Sequence, residues 1–231
     1  MTPQSRRMTF VLITLAMVIG FNTLGALTGA GWRLAAGSTA LTVAVMIAWQ
    51  MRFRDPIFGR WLIIGFVAGW LEIATDAWLV AFTGTLVYPP GEAKVWDSPL
   101  YMPFAWMIVL TQMGVVASWL AERVSLARAT LVTGLMGGMS IPLYEMMAHY
   151  AGYWSYVKTP MLLHAPLYIV VSEFLLSLPL AWVAVAARKA AWPWSVLLGV
   201  LVGLLMIPAV MVAWWLVGPC DASVFQFQCK G

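Results

Sequence analysis

Residues 191–218 read AWPWSVLLGVLVGLLMIPAVMVAWWLVG, 28 consecutive positions without an ionisable side chain. About 20 mainly apolar residues in a helix suffice to cross the hydrocarbon core of a bilayer, so this stretch predicts a transmembrane helix. The rest of the chain repeats the pattern. It is 62% hydrophobic and only 10% charged, with a mean hydropathy of +0.87, far from the composition of a soluble globular domain. Breaking it at charges and turn formers predicts seven spans, near 8–30, 34–51, 60–87, 99–121, 128–152, 160–187 and 191–218. The expected fold is all-α, a polytopic membrane protein of seven transmembrane helices forming a single domain over residues 1–231.

Basic residues in short loops mark the cytoplasmic side of a membrane protein. Arg6, Arg7, Arg52, Arg54, Arg60, Arg123, Arg128, Arg188 and Lys189 fall on one side of the predicted spans, and only Arg33, Lys94, Lys158 and Lys230 on the other. This alternation predicts a cytoplasmic N-terminus and an external C-terminus, with a bacterial inner (plasma) membrane as the expected location. The net charge of +4 then follows from topology, and no nucleic-acid partner is expected. Ser5-Arg6-Arg7 resembles a twin-arginine signal, yet the following apolar run is long and lacks an A-x-A site, so a retained first span is expected. Cys220 and Cys229 fall in the external tail, where the compartment is oxidising and a disulfide between them is expected.

Four of the nine acids, Glu72, Asp76, Glu145 and Glu173, lie within predicted spans, and His149 and His164 lie in or beside them. An ionised side chain at mid-bilayer costs roughly 2.5 to 3.5 kcal/mol on insertion scales. Several together call for partners, water or a neutral protonation state. Rising 1.5 Å per residue from Arg60, Glu72 and Asp76 stand about 18 and 24 Å along their helix, and from Arg128, Glu145 and His149 stand about 26 and 32 Å along theirs. Span six enters from outside, which places His164 just below the outer surface and Glu173 nearer the middle. All six groups are thus expected to converge in the outer half of the bilayer. Spacing of i, i+4 sets Glu72 with Asp76, and Glu145 with His149, on common helix faces.

A protonated carboxyl in such a place can act as a general acid, and a neighbouring histidine or carboxylate can take the proton back. Glu72, Asp76, Glu145 and Glu173 are the candidate acids and His149 the candidate base. No cofactor is expected. A two-metal site is the rival reading of four carboxylates and two histidines, although the Glu-x-x-His pair of di-iron bundles is absent. Interhelical hydrogen bonding that only holds the bundle together is the plainer alternative. Trp70, Trp78, Tyr101, Trp106, Tyr144, Tyr153, Trp154, His164 and Tyr168 are the candidate substrate-binding residues, because aromatic faces attract a developing cation. Tyr150 and Tyr156 join them as aromatic-belt or cavity residues. Gly134, Gly137, Gly138 and Ser140 permit close helix approach, and Pro142 should kink span five beside Glu145. Span seven carries no lysine, which excludes a retinal Schiff base. The loop Tyr88 to Ser98, YPPGEAKVWDS, reads as interfacial anchors or a lid.

An internal repeat emerges when spans three and four are laid over five and six. Glu72-x-x-x-Asp76 then matches Glu145-x-x-x-His149, and Met102-Pro103-Phe104 matches Ala165-Pro166-Leu167. Duplicated helical units are common in membrane cores.

Ser98-Pro99-Leu100-Tyr101-Met102-Pro103-Phe104-Ala105-Trp106, Gly152-Tyr153-Trp154-Ser155-Tyr156 and Ala165-Pro166-Leu167-Tyr168 make the chain, over about residues 65–175, resemble the integral-membrane carotenoid-modifying proteins. These are the bacterioruberin-type carotenoid hydratases and the small-subunit lycopene cyclases. The resemblance implies a lipid or isoprenoid substrate and cofactor-independent acid chemistry, in which a terminal alkene is protonated and the cation captured by water or an internal double bond. Pro166-Leu167 is followed by Tyr168-Ile169 where the cyclases carry two glutamates, and no Gly-x-Pro-Phe-Gly-x-Tyr-x-Tyr follows Glu72 as it does in the hydratases. Hydration and cyclisation both stay open. So do two readings from other classes, an ion- or proton-coupled transporter or channel, and an accessory pigment- or quinone-binding subunit of a membrane complex.

Overall fold

A computed structural model describes residues 1–189 and 191–218. The expected pairing of Cys220 with Cys229 lies outside the described residues. Among the described residues, seven helices are long and apolar enough to cross a membrane: Pro3–Thr28, Trp32–Phe53, Pro56–Thr83, Met102–Leu120, Leu126–Ala151, Leu167–Ala187 and Trp192–Val217. The protein is an integral membrane protein with an all-α polytopic fold.

The helices are α1 (Pro3–Thr28), α2 (Trp32–Phe53), α3 (Pro56–Ala77), α4 (Met102–Leu120), α5 (Leu126–Ala151), α6 (Leu167–Ser177), α7 (Leu180–Ala187) and α8 (Trp192–Val217). α6 and α7 are two pieces of one span, interrupted at Leu178-Pro179, and α3 continues through a π-helical segment, Trp78–Thr83. The third span starts at Pro56, earlier than residue 60, because Asp55 caps it: its Oδ1 accepts from the backbone N–H groups of Ile57 and Phe58, each at 3.0 Å, and Pro56 follows at the first helical position.

Spans four and six start later than expected, at Met102 and Leu167, because the chain before them is extended. The short strands are β1 (Leu86–Val87), β2 (Lys94–Val95), β3 (Ser98–Pro99), β4 (Ser155–Tyr156), β5 (Met161–Leu162) and β6 (Ala165–Pro166). β2 pairs with β3 and β5 with β6 as hairpins, while β1 pairs with β4 across the two loops. These ladders satisfy backbone groups that would otherwise stand unpaired at the apolar end of a bundle.

α1, α5, α6, α8, α3 and α4 follow one another around a ring, each packed on the next, and α1 closes it on α4. α2 lies outside on α1 and α4, and α7 leans across to α4 and α5. Close approach between ring helices uses glycine: a Cβ on Gly69 would meet the backbone of Pro103, and one on Gly137 would meet Ser177 and the Glu173 carbonyl. Two buried clusters cap the ring. At the end bearing Arg6, Arg7, Arg60 and Arg188, Phe10, Trp49, Phe58, Trp61 and Leu180 interlock. At the hairpin end, Tyr88, Tyr101, Tyr153, Trp154, Tyr168 and Trp214 form an aromatic cluster.

The two helix–hairpin–helix units share one plan. The third span ends at Gly84 and the fifth at Gly152, both left-handed (φ 62° and 71°), conformations that glycine adopts without a Cβ penalty. Val87 then pairs with Ser155 at the centre of the β1–β4 ladder. The hairpins turn at Trp96 and Leu163, also left-handed, and close in the same register, Lys94 on Pro99 and Met161 on Pro166. Ser98-Pro99-Leu100-Tyr101 is therefore the counterpart of Ala165-Pro166-Leu167-Tyr168. Asp76 precedes its glycine by one residue more than Glu145 precedes Gly152, and a π-helical turn accommodates one extra residue. The register differs from the one read in the sequence. Asp76 corresponds to Glu145, not to His149, and Pro99 rather than Pro103 corresponds to Pro166.

Candidate functional site

Inside the ring lies a cavity. Every ring helix contributes to its wall: Ile19 from α1, Thr75 from α3, Ala105, Trp106 and Val109 from α4, Tyr144 from α5, Ile169 and Ser172 from α6, and Met206 and Val210 from α8. The wall is mostly apolar, as in most sites for small organic ligands. Ile19, Met139 and Leu143 line it yet are also exposed on the outside of the bundle. The cavity thus opens sideways between α1 and α5, toward the lipid.

Four carboxyl groups face this apolar space. Glu72 and Asp76 come from α3, Glu145 from α5 and Glu173 from α6. Glu72 Oε2 is buried and has no hydrogen-bond partner among the described residues. Asp76 Oδ2 accepts two hydrogen bonds at 2.6 Å, from the Tyr88 hydroxyl and from Ser98 Oγ. Glu145 Oε2 accepts from Trp154 Nε1 at 2.5 Å. The two corresponding acids, Asp76 and Glu145, are thus each held from the hairpin end by a side chain of the loop that follows their helix. Burial pushes the Tyr88 hydroxyl well above the ordinary tyrosine range, and the neighbouring Asp76 pushes it further. It remains a donor at any physiological pH.

The structure separates other residues that the sequence reading grouped with the acids. His149 is exposed on the outside of α5. Its ring stacks on that of His164 at 4.0 Å, and the Tyr150 hydroxyl lies 3.3 Å from His164 Nε2. Glu145 and His149 therefore do not share a site, and the expected convergence of all six groups fails at the two histidines. Four residues advance a helix by about 40° beyond a full turn, and here that rotation carries His149 out of the ring. Among the described residues, no three His, Cys, Asp or Glu side chains are placed to hold a metal ion.

Of the aromatic candidates, Trp106, Tyr144 and Trp154 line the cavity, as does Tyr156. Trp70 lies outside it, half-exposed between Phe66 and Phe104. Trp78 packs edge-on to Trp214, and Tyr168, fully buried, shares a 2.7 Å hydrogen bond with Thr85 Oγ1. Tyr101 and Tyr153 line a second, smaller cavity. Tyr88 and Ser98 were not among the predicted site residues. Their places at the two ends of the loop between spans three and four were the available signal, since that loop folds back over Asp76.

Residues 73–217 match the family described as Domain of unknown function (DUF6989). The chain belongs to that family. The match runs from the last turn of α3 through both hairpins to the end of α8, with Asp76, Glu145 and Glu173 among its residues. No curated protein and no solved structure matches the chain.

Proposed function

We propose that the protein is an integral-membrane enzyme that carries out acid–base chemistry on an isoprenoid-like lipid, admitted sideways from the bilayer into the ring. The observation that carries this reading is the apolar, laterally open cavity with four carboxyl groups on its wall. Glu72 is the proton donor, since no protein group occupies its Oε2. Protonation of a terminal alkene forms a new C–H bond at the less substituted carbon and leaves a tertiary cation. The faces of Trp106, Tyr144 and Trp154 stabilise that charge. Water adds to the cation and gives up a proton, completing a hydration, or an internal double bond adds and a neighbouring C–H loses its proton, completing a cyclisation. Asp76 and Glu145, fixed by Tyr88, Ser98 and Trp154, are the groups that accept the proton, with Glu173 the fourth acid of the set. His149, outside the cavity, has no part in this scheme. The hairpin end faces outward and the basic end the cytoplasm, by the distribution of Lys and Arg.

Mass spectrometry of lipids extracted from gently purified protein identifies the substrate. With it in hand, Glu72→Gln and Glu145→Gln should each lower turnover by about 10²-fold or more, the contribution of a positioned acid or base, while thermal stability is retained. Full activity in both variants overturns the proposal.

A further inference from the structure

The second cavity, much the smaller, lies beside the first. Ala105, Val109, Tyr144 and Trp154 line both, so the two spaces share a wall. Its far side comes from α2, the one span that stands outside the ring, through Ala35, Ser38, Thr39 and Thr42. No charged residue among those described lines it. Three phenols do, and two of them, Tyr101 and Tyr153, are only 9% and 1% exposed, with hydroxyls that have no hydrogen-bond partner among the described residues. A buried hydroxyl left unpaired costs about 1 to 3 kcal/mol, so two in one uncharged space are a preformed demand for an acceptor. Burial pushes both phenols above the ordinary tyrosine range, which keeps them donors.

The correspondence between the two units shows what is unusual here. Tyr101 is the counterpart of Tyr168, and Tyr153, the residue after Gly152, is the counterpart of Thr85, the residue after Gly84. Thr85 and Tyr168 bond to each other, and Trp214 of α8 packs against Tyr168 with ring centroids 4.8 Å apart. That half is closed. In the other half a tyrosine replaces the threonine, the two hydroxyls find no protein partner, and a cavity stands beside them. Ser38 Oγ and Thr42 Oγ1 donate to backbone carbonyls of their own helix, and of the lining donors Tyr101 and Tyr153 are the ones whose hydroxyls are fully buried without a partner among the described residues.

We propose that this second cavity is a subsite for a neutral oxygen function, a hydroxyl or carbonyl, at one end of an apolar ligand whose body lies in the larger cavity. The proposal rests on the reading above only for the apolar body. Tyr101 and Tyr153 donate to the ligand oxygen, and the ligand crosses at the wall the two spaces share, where Ala105 presents a small side chain.

The test uses the full chain in detergent micelles and two probes of equal carbon skeleton, geranylgeraniol and the hydrocarbon that lacks its hydroxyl group, with affinities measured by equilibrium gel filtration. The alcohol should bind about tenfold more tightly, equivalent to about 1.4 kcal/mol. Tyr101→Phe with Tyr153→Phe should lower alcohol affinity to that of the hydrocarbon and leave the hydrocarbon unchanged, which also reports that the variant is folded. Ala35→Leu, which fills the subsite from α2, should erase the same preference. Equal affinities in the parent protein, or variants that weaken both probes alike, overturn the subsite while leaving the larger cavity's role intact. Failure of both probes to bind overturns both readings.

Discussion

The helix that carries Glu72 and Asp76 is anchored at its other end by a buried ion pair, and that pair makes a quantitative test of the fold. Arg7 Nη1 lies 2.9 and 3.0 Å from the two oxygens of Asp55, and the residues are only 7% and 4% exposed. Asp55 Oδ1 also caps α3. Removing one partner strands the other charge in a place that water cannot reach, which costs about 3 to 5 kcal/mol. Arg7→Met and Asp55→Asn should each incur a loss of that size. The double variant leaves no stranded charge, so it should lose no more than either single one. If the pair were merely two surface charges, the single losses would be within about 1 kcal/mol and would add. Reversible unfolding in mixed micelles gives the three free energies. A double-variant loss equal to the sum of the single losses within about 0.5 kcal/mol, the tolerance for independent sites, would refute the claim that Arg7 and Asp55 act as one buried unit.

Two further outcomes follow from the packing and from the loop between the third and fourth spans. Gly69→Val pushes a side chain into the Pro103 backbone, whereas Gly20 has nothing within 4 Å of a would-be Cβ; thermal unfolding should show Gly69→Val destabilised by about 1 to 3 kcal/mol and Gly20→Val nearly unchanged. Burial pushes the Glu92 carboxyl up to about 7 despite Lys94 nearby, which pulls it down. Below the ordinary carboxylate value both folded and unfolded chains hold this proton, and as pH rises toward 7 only the folded chain keeps it, so stability falls across that window and levels off above it. Glu92→Gln should flatten the profile between pH 5 and 8, and an unchanged slope would show that Glu92 is not its source.

The spans were readable because a bilayer imposes one length and one polarity on anything that crosses it, and residues 191–218 satisfy both at a glance. The acids were readable for the converse reason, since a carboxyl group in such a segment needs an explanation. What periodicity could not supply was rotation. Glu145 and His149 look like a pair at i, i+4, yet only Glu145 turns inward. Nor could it supply the extended loops, because two-residue strands leave no alternation to detect. Arg7 was readable only as a topological charge, and its burial against Asp55 depends on a contact between helices 48 positions apart. The likeness of the two units was visible in outline but four residues out of register, because the i, i+4 spacing of Glu72 with Asp76 and the recurrence of Pro at 99 and 103 each offered a match about one helical turn from the structural one.

That register bears on what the cavity can hold. Asp76 and Glu145 correspond, and both receive a donor from the loop after their helix, so this much of the site is shared by the two halves. The other acids are not. Carrying the hairpin register into the following helices places Glu173 opposite Trp106, and carrying the register ahead of the π turn places Glu72 opposite Ile141; all four line the cavity. Tyr101 with Tyr153 against Tyr168 with Thr85 breaks the likeness again, one pair open and the other closed. A ligand with two identical ends would meet a carboxyl group facing a tryptophan at one and a carboxyl group facing an isoleucine at the other. The differences between the halves therefore favour a ligand whose ends differ, with a reactive apolar end near Glu72 and an oxygen-bearing end toward Tyr101 and Tyr153. Corresponding acids in unlike surroundings are how a scaffold of two similar halves can orient such a molecule in one direction.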